Sequence, residues 1–413
     1  MKRFGPSWVN CTIVGIVLAT FFSDCGHELS TAVLPLYLTA IGHGPEALAL
    51  IEGVADFLVS LSKLAGGVLG HVVRRKQPLV AVGYLITAAA TGALGLVRSV
   101  PALVTLRSLA WIGRGYRGPL RDALLSDAVE KTHYGRAFGL ERTGDMLGAV
   151  VGPLTAALFV WLGFEFRSVL LIAFIPGIFA TASIAFLVRD KFRALSDARA
   201  AAEGSRPPEG TVTRPPAPTA AVHFPKVFYL FLGGVFCFGL GDFSRAFLIW
   251  LAAHALGEEG PRAPGMISIA VLLYAAHNAI SGLAAYPVGS LADRLPKRSV
   301  LIGGYALGVI TNLLLALFSG WLPGLVGAIL LSGVYIAVEQ TLEKAVVAEL
   351  IPSAGRSLGF GILACTNAVG DLLSSLSVGW LLSRGQPSVA FGLAASAGFV
   401  GVAWLARLSS KIP

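Results

Sequence analysis

Residues 205–221 read SRPPEGTVTRPPAPTAA, a polar, proline-rich stretch in the middle of an otherwise apolar chain. Such a composition cannot bury enough apolar surface to form a core. With Lys191, Arg193, Asp197 and Arg199 before it, it extends into a segment, 190–222, expected to be a flexible linker. What it separates decides the fold. A bilayer-crossing helix needs about 20 mostly apolar residues. Such runs recur six times on each side, at 11–40, 46–72, 78–97, 101–130, 136–162 and 167–188, then at 226–256, 265–291, 299–318, 322–350, 356–382 and 386–406. Two six-span units, 1–189 and 223–413, follow. Spans four and ten are the least apolar of the set.

Composition agrees. Of 413 residues, 55% are apolar and 13% charged, and mean hydropathy is +0.74, whereas soluble proteins carry about 25% charge. A soluble enzyme, a disordered chain and a secreted disulfide scaffold are excluded. The net charge of +9 does not point to nucleic acid, because most Lys and Arg sit between apolar runs. With both termini on one side, 20 of the 32 basic residues fall on that side, and Arg98, Arg167, Arg262 and Arg384 fall on the other. By the positive-inside rule the termini and linker are expected in the cytoplasm and the spans in the cell (inner) membrane. Lys2 and Arg3 before an apolar run mimic a signal peptide, but no small-residue cleavage site follows, so an uncleaved first helix is expected. Cys11, Cys25, Cys237 and Cys365 are scattered in apolar runs and form no CxxC pair, so neither a disulfide framework nor a metal site is expected. No GxxxxGK[ST] or GxSxG string occurs, and no cofactor or enzymatic activity is expected.

The halves echo each other. Gly135-Arg136-Ala137-Phe138-Gly139 opens span five, and Gly355-Arg356-Ser357-Leu358-Gly359 opens span eleven. Arg75-Lys76 is answered by Lys297-Arg298, Gly83-Tyr84 by Gly304-Tyr305, and Asp24 by Asp242. A duplicated six-span bundle is a known transporter plan, with the site at mid-depth between the halves.

The loop after the second span of the C-terminal half reads Gly289-Ser290-Leu291-Ala292-Asp293-Arg294-Leu295-Pro296-Lys297-Arg298. It is similar to the G-x-L-A-D-R-x-G-R-R/K loop of the major facilitator superfamily, which this chain resembles over its whole length. The N-terminal copy, Gly67 to Lys76, has His71 at the acidic position and Val72 at the first basic one, and continues to Arg75. Span five carries Gly148-Ala149-Val150-Val151-Gly152-Pro153, similar to the core of that family's antiporter motif without its trailing glycines. The string from Arg107 through Gly113-Arg114-Gly115 and Arg117 to Arg121-Asp122 resembles poorly characterised prokaryotic permeases of the family. The resemblance implies an all-α membrane protein of twelve transmembrane helices, two six-helix bundles related by a pseudo-two-fold axis, and transport by alternating access. It also implies that the loop residues Gly67, His71, Arg75, Lys76, Gly289, Asp293, Arg294, Lys297 and Arg298 belong to a gate.

Charges at membrane depth cost at least about 2.5–3.5 kcal/mol each, so they are paired, wetted or used. Asp24 and Glu28 lie one helical turn apart, as do Glu52 and Asp56. Arg107, Arg114 and Arg121 are seven apart and share a face of span four, which Arg117 joins. Together with Asp242, Arg245 and the isolated Asp371, these residues, apart from Arg121, are the expected cavity for solute or protons. Arg121, Asp122, Glu141, Arg142 and Asp145 are expected nearer the cytoplasm, in an inner-gate network. The bland alternative is that all of them are static ion pairs.

The expected function is secondary active transport of a small, charged organic solute, coupled to protons, with export by antiport favoured over uptake. A non-transporting membrane sensor or assembly factor of the same fold is the alternative from another class. The partners expected are the solute, protons and the lipid bilayer, and the chain is expected to be a monomer.

Overall fold

The computed structural model describes residues 8–73, 75–190, 223–257 and 269–408. The N-terminal half contains α1 (Cys11–Ala40), α2 (Pro45–Val72), α3 (Lys76–Ala93), α4 (Val100–Asp127), α5 (Tyr134–Trp161), α6 (Phe166–Ile172) and α7 (Phe174–Leu187). The C-terminal half contains α8 (Lys226–Gly239), α9 (Ala246–Ala255), α10 (Ile269–Ala292), α11 (Lys297–Phe318), α12 (Leu322–Leu350), α13 (Arg356–Leu382) and α14 (Pro387–Arg407). Apart from Asp190, the linker lies outside the described residues. Asp190 itself is tied down, because its carboxylate accepts the backbone N–H of Lys76 at 2.7 Å and caps α3.

Local signals set the ends. Proline in the first turn, where its missing N–H costs nothing, opens α2, α4, α12 and α14. Glycines with positive φ follow α1, α5, α9 and α13, at Gly42, Gly163, Gly257 and Gly385. At three of these sites the next residue's N–H reaches back to a carbonyl five positions earlier, closing the helix as a left-handed cap does. The four are the ends of spans one, five, seven and eleven, so the duplication extends to the turns.

Two expected spans are not single helices. Span six breaks at Ala173, because Pro176 removes the N–H that would bond Ile172 and its ring crowds that carbonyl. Span seven, expected over 226–256, is α8 and α9 with residues 240–245 between them. There Gly241 lies so close to α14 that a Cβ would overlap the Ala394 carbonyl. Asn312 donates to the Gly241 carbonyl at 2.8 Å, satisfying one group freed by the break. Spans four and ten, the least apolar, are unbroken helices. Among the described residues eight helices are long and apolar enough to cross a membrane by length and composition. Large apolar side chains such as Trp161, Phe186 and Leu317 point outward, as a lipid-facing surface requires.

One face of the bundle carries the first and last described residues of the chain and those that flank the linker. On it Asn10 caps α1 and donates to Ala128 at the end of α4 at 2.8 Å, and the Arg189 N–H donates to Thr12 at 3.1 Å. Toward this linker face the buried apolar residues of both halves merge into one cluster, joined by contacts such as Phe138 on Phe360. Toward the far face there are two separate clusters, one in each half. The halves are thus closed together at the linker face and share no such core at the far face.

Candidate solute cavity and gate

Between the halves lies a cavity of about 390 Å³, lined by α1, α2, α4 and α5 on one side and by the 240–245 break, α12 and α13 on the other. Close helix approach builds the first wall. Gly66 and Gly115 leave no room for a Cβ where α2 meets α4. That wall presents Lys63, Arg114, Arg117, Arg121 and Arg142 with Asp24, Asp122 and Asp145. Asp24 pairs with Arg114, and Arg142 with Asp145 one turn along α5. The Arg114 side chain keeps 26% of its surface open. Trp111, also in the lining, packs under the Arg107 and Arg114 guanidinium groups, each 5.6 Å from its ring centre. Arg117 is held by Ser23 and Thr87 hydroxyls, both at 2.6 Å, and lies 3.8 Å over the Tyr84 ring.

The opposite wall presents Asp242, Glu339, Glu343 and Asp371 with Arg245 and Lys344. Tyr335 donates to Asp242 at 3.1 Å. Glu343 accepts from Tyr305 and, at 2.6 Å, from Asn367. Glu339 is buried, and its Oε2 has no hydrogen-bond partner among the described residues. Lys344 turns away from its own half. It sits 3.3 Å from Asp122 and 3.7 Å from Glu141, both of which Arg121 also holds. This four-residue cluster joins the halves at the linker-face end of the cavity.

Below it, two seams close the linker face. In one, α5 meets α10 with Gly135 against Gly289 and Gly139 against Ala285, where added Cβ atoms would overlap opposing carbonyls. Asp293 accepts the N–H of Gly135 at 2.8 Å and of Arg136 at 3.0 Å, where α5 begins, and the Arg136 guanidinium lies 3.4 Å away without hydrogen-bond geometry. Burial pushes the Asp293 carboxyl up from its ordinary value, against the pull of those N–H donors and of Lys297 and Arg136. In the other seam α2 meets α13, with Gly67 against Gly361 and Gly70 against Ser357. Here His71 bonds the Ala354 carbonyl at 3.1 Å, and charge is supplied elsewhere. Arg356 reaches Asp127 at 2.8 Å, Tyr134 at 2.6 Å and the Ser126 carbonyl at 3.4 Å.

The structure therefore redistributes the expected residues. Asp24, Arg114, Arg117, Asp242, Arg245 and Asp371 line the cavity. Arg121, Asp122, Arg142 and Asp145, expected in a separate inner network, line it too, because the cavity continues down to Lys344. Glu28, Glu52 and Arg107 do not. Arg107 is fully buried and bonds Glu52 at 2.9 Å and Thr31 at 3.0 Å, a closed set of contacts in the far half of α1, α2 and α4. Glu28 lies against Gly152 of α5. The side chain of Asp56 is not among those described. Lys297 pairs with Glu349 in its own half at 3.1 Å, while Arg75, Lys76, Arg294 and Arg298 lie at the linker-face ends of the helices without joining the cavity. The cavity also contains Lys63, Glu339, Glu343 and Lys344, absent from the expected set. Lys63 follows Asp56 by seven residues on α2, a spacing that places both on one face and was a usable signal.

The model of the Major Facilitator Superfamily matches residues 16–273 and 262–412, and the chain belongs to that family. It is 28% identical over 363 residues to an uncharacterized MFS-type transporter of Methanocaldococcus jannaschii, covering 88% of this chain and 86% of that one. It is 24% identical over 311 residues to the multi-drug resistance efflux pump PmrA of Streptococcus pneumoniae, covering 72% and 70%. Among solved structures, the human organic anion transporter MFSD10 (TETRAN) aligns with a TM-score of 0.71 at 15% identity, over 96% of this chain and 99% of that one. At that identity the likeness shows the fold alone. The chain is an all-α, multi-pass membrane transporter of a twelve-helix fold, a carrier rather than an enzyme.

Proposed function

We propose that this protein moves a small, charged organic solute by alternating access, exchanging it for protons in the direction of export. The observation that carries the reading is the cavity between the halves, with basic side chains prevailing on one wall and carboxyl groups on the other. Glu339, Glu343 and Asp371 are the proton carriers in this reading, and the solute lies between the two walls, with its anionic group on the N-terminal one. Export is supported by the close approach of Gly148 and Gly152 of α5 to α1, in the segment similar to the antiporter motif, and by the relationship to a protein named as an efflux pump. The linker face is cytoplasmic in this reading, and the 1–189 and 223–413 bundles act as one monomer across the cell membrane.

The test is reconstitution in proteoliposomes containing a trapped pH dye. Candidate solutes are added under an imposed pH gradient. The expected result is solute-dependent proton movement in wild type. Asp371→Asn should slow it about tenfold or more while solute–solute exchange continues. Solute flux that is indifferent to the gradient in wild type would reject the coupling.

A further inference from the structure

Resting on that reading, the cavity's polarity identifies the class of solute. The N-terminal wall carries five cations against three carboxylates, and the C-terminal wall four carboxylates against two cations. Pairing between the halves widens the imbalance on the C-terminal wall. Lys344, one of the two C-wall cations, is engaged by Asp122 and Glu141 of the other half. Arg117 on the N-terminal wall is held by hydroxyls and a ring rather than by a carboxylate.

The unmatched hydrogen-bonding atoms of the lining residues divide the same way. On the N-terminal side they are Trp111 Nε1 and Arg142 Nε, both donors. On the C-terminal side they are Glu339 Oε2 and Asn367 Oδ1, both acceptors. Asn367 is oriented by its amide donation to Glu343, so its oxygen is the free atom. Buried polar atoms left without partners are costly and rare. Charge and hydrogen-bonding capacity thus point in one direction across the cavity.

We infer that the transported solute is dipolar, an amphoteric organic molecule whose anionic end lies against Trp111, Arg114 and Arg142 and whose ammonium or other cationic end lies against Glu339 and Asn367. The cavity volume suits a small molecule rather than a macromolecule. A solute with only one charged end leaves one wall's unmatched atoms unmet. A site built to bond a group discriminates against analogues lacking it by at least about tenfold.

Binding to purified protein in detergent at constant pH tests this independently of transport. The probes are aliphatic ω-amino acids of increasing length and aromatic amino acids. Each is supplied as the zwitterion, the N-acetyl anion, the methyl-ester cation and the doubly capped neutral form. The reading is the concentration giving half-maximal thermal stabilisation. In at least one series the zwitterion should act at a concentration about tenfold or more below all three capped forms. Glu339→Gln should bring the zwitterion and its N-acetyl form to within about threefold of each other, and Glu339→Asp should keep most of the preference. Arg142→Lys retains charge but removes the Nε donor, and should weaken the zwitterion and the N-acetyl anion alike. The inference is overturned if no zwitterion stabilises the protein, if a capped form equals the zwitterion in every series, or if Glu339→Gln leaves the ratio unchanged. Proton movement driven by singly charged solutes alone would overturn it and leave the coupling intact. Zwitterion binding without proton movement would do the reverse.

Discussion

Arg117 is a buried cation with no carboxylate within 4.0 Å among the described residues. Two hydroxyls and the face of Tyr84 hold it instead. A planar guanidinium can reach Ser23 and Thr87 at once while stacking on the ring, and an ammonium cannot. Arg117→Lys should therefore lower the thermal unfolding midpoint in detergent, reflecting about 1–3 kcal/mol for the bonds lost to a charged group; an unchanged midpoint would contradict this account. Asp24 and Arg114 behave differently, since each neutralises the other. Asp24→Asn should strand Arg114 and reduce the yield of monodisperse protein, by a cost of roughly 3 kcal/mol moderated by the open side of Arg114. Adding Arg114→Gln should recover much of that yield. If the double variant expresses no better than the single, the pair is not what Arg114 stabilises. At this scale the sequence announced many of the residues, since a charge in an apolar run is conspicuous, but it passed over Lys63, Glu339, Glu343 and Lys344 and did not show how the charges pair. Lys344 meets Asp122 across the two halves, and Arg107 meets Glu52 from another helix. Such partners depend on helix rotation and tilt, which spacing along one helix does not encode.

Between elements, the pattern of small residues sets how closely the helices meet at the linker face. Where α5 crosses α10, a methyl group on Gly289 would overlap the backbone of Gly135, and backbone cannot rotate aside as a side chain can. Gly289→Ala should separate the linker-face ends of these helices without unfolding either bundle. Spin labels at the exposed positions Lys131 and Leu295 should then report a longer, broader distance distribution than in wild type. An unchanged distribution would show that the seam does not set the separation. The neighbouring Asp293 accepts two backbone N–H bonds, and an asparagine side chain has only one acceptor oxygen to offer. Asp293→Asn should slow turnover severalfold in proteoliposomes while leaving solute affinity within about twofold, because the residue touches no part of the cavity. A comparable loss of affinity would place it in the binding site instead. The helices themselves were legible as apolar runs, four of them with proline in the first turn. The breaks in spans six and seven were less so. Pro176 was a visible signal, but the gap at 240–245 depends on the contact of Gly241 with α14.

Taken whole, the molecule is closed at one face and divided at the other. One apolar core spans both halves near the linker, and two separate cores lie at the far end. The duplication and the overall architecture could be read from the chain, but this conformational asymmetry could not, because the same helices must also serve the opposite state. A covalent tie across the closed face should trap it. With the native cysteines replaced, a short bismaleimide joining cysteines at positions 71 and 354, whose residues are in hydrogen-bond contact, should stop net transport. Solute binding should persist. Continued flux at complete cross-linking would mean that this face need not open. The interruption between α8 and α9 adds a consequence of its own. Span one runs without a break from Cys11 to Ala40, whereas its repeat counterpart is two short rods joined by six residues that include Asp242 and Arg245. Among the described residues the far rod joins the C-terminal half's own far-face core through Leu248, Leu251 and Ala252 and meets Gly379 through Phe247, so the joint at 240–245 lets it tilt with that core as a flap while the linker face stays shut. Capture and translocation then become separate kinetic events. Mixing protein with solute should produce two relaxations, a fast one from the flap and a slow one from the bundles, and only the slow one should vanish when the linker face is tied shut.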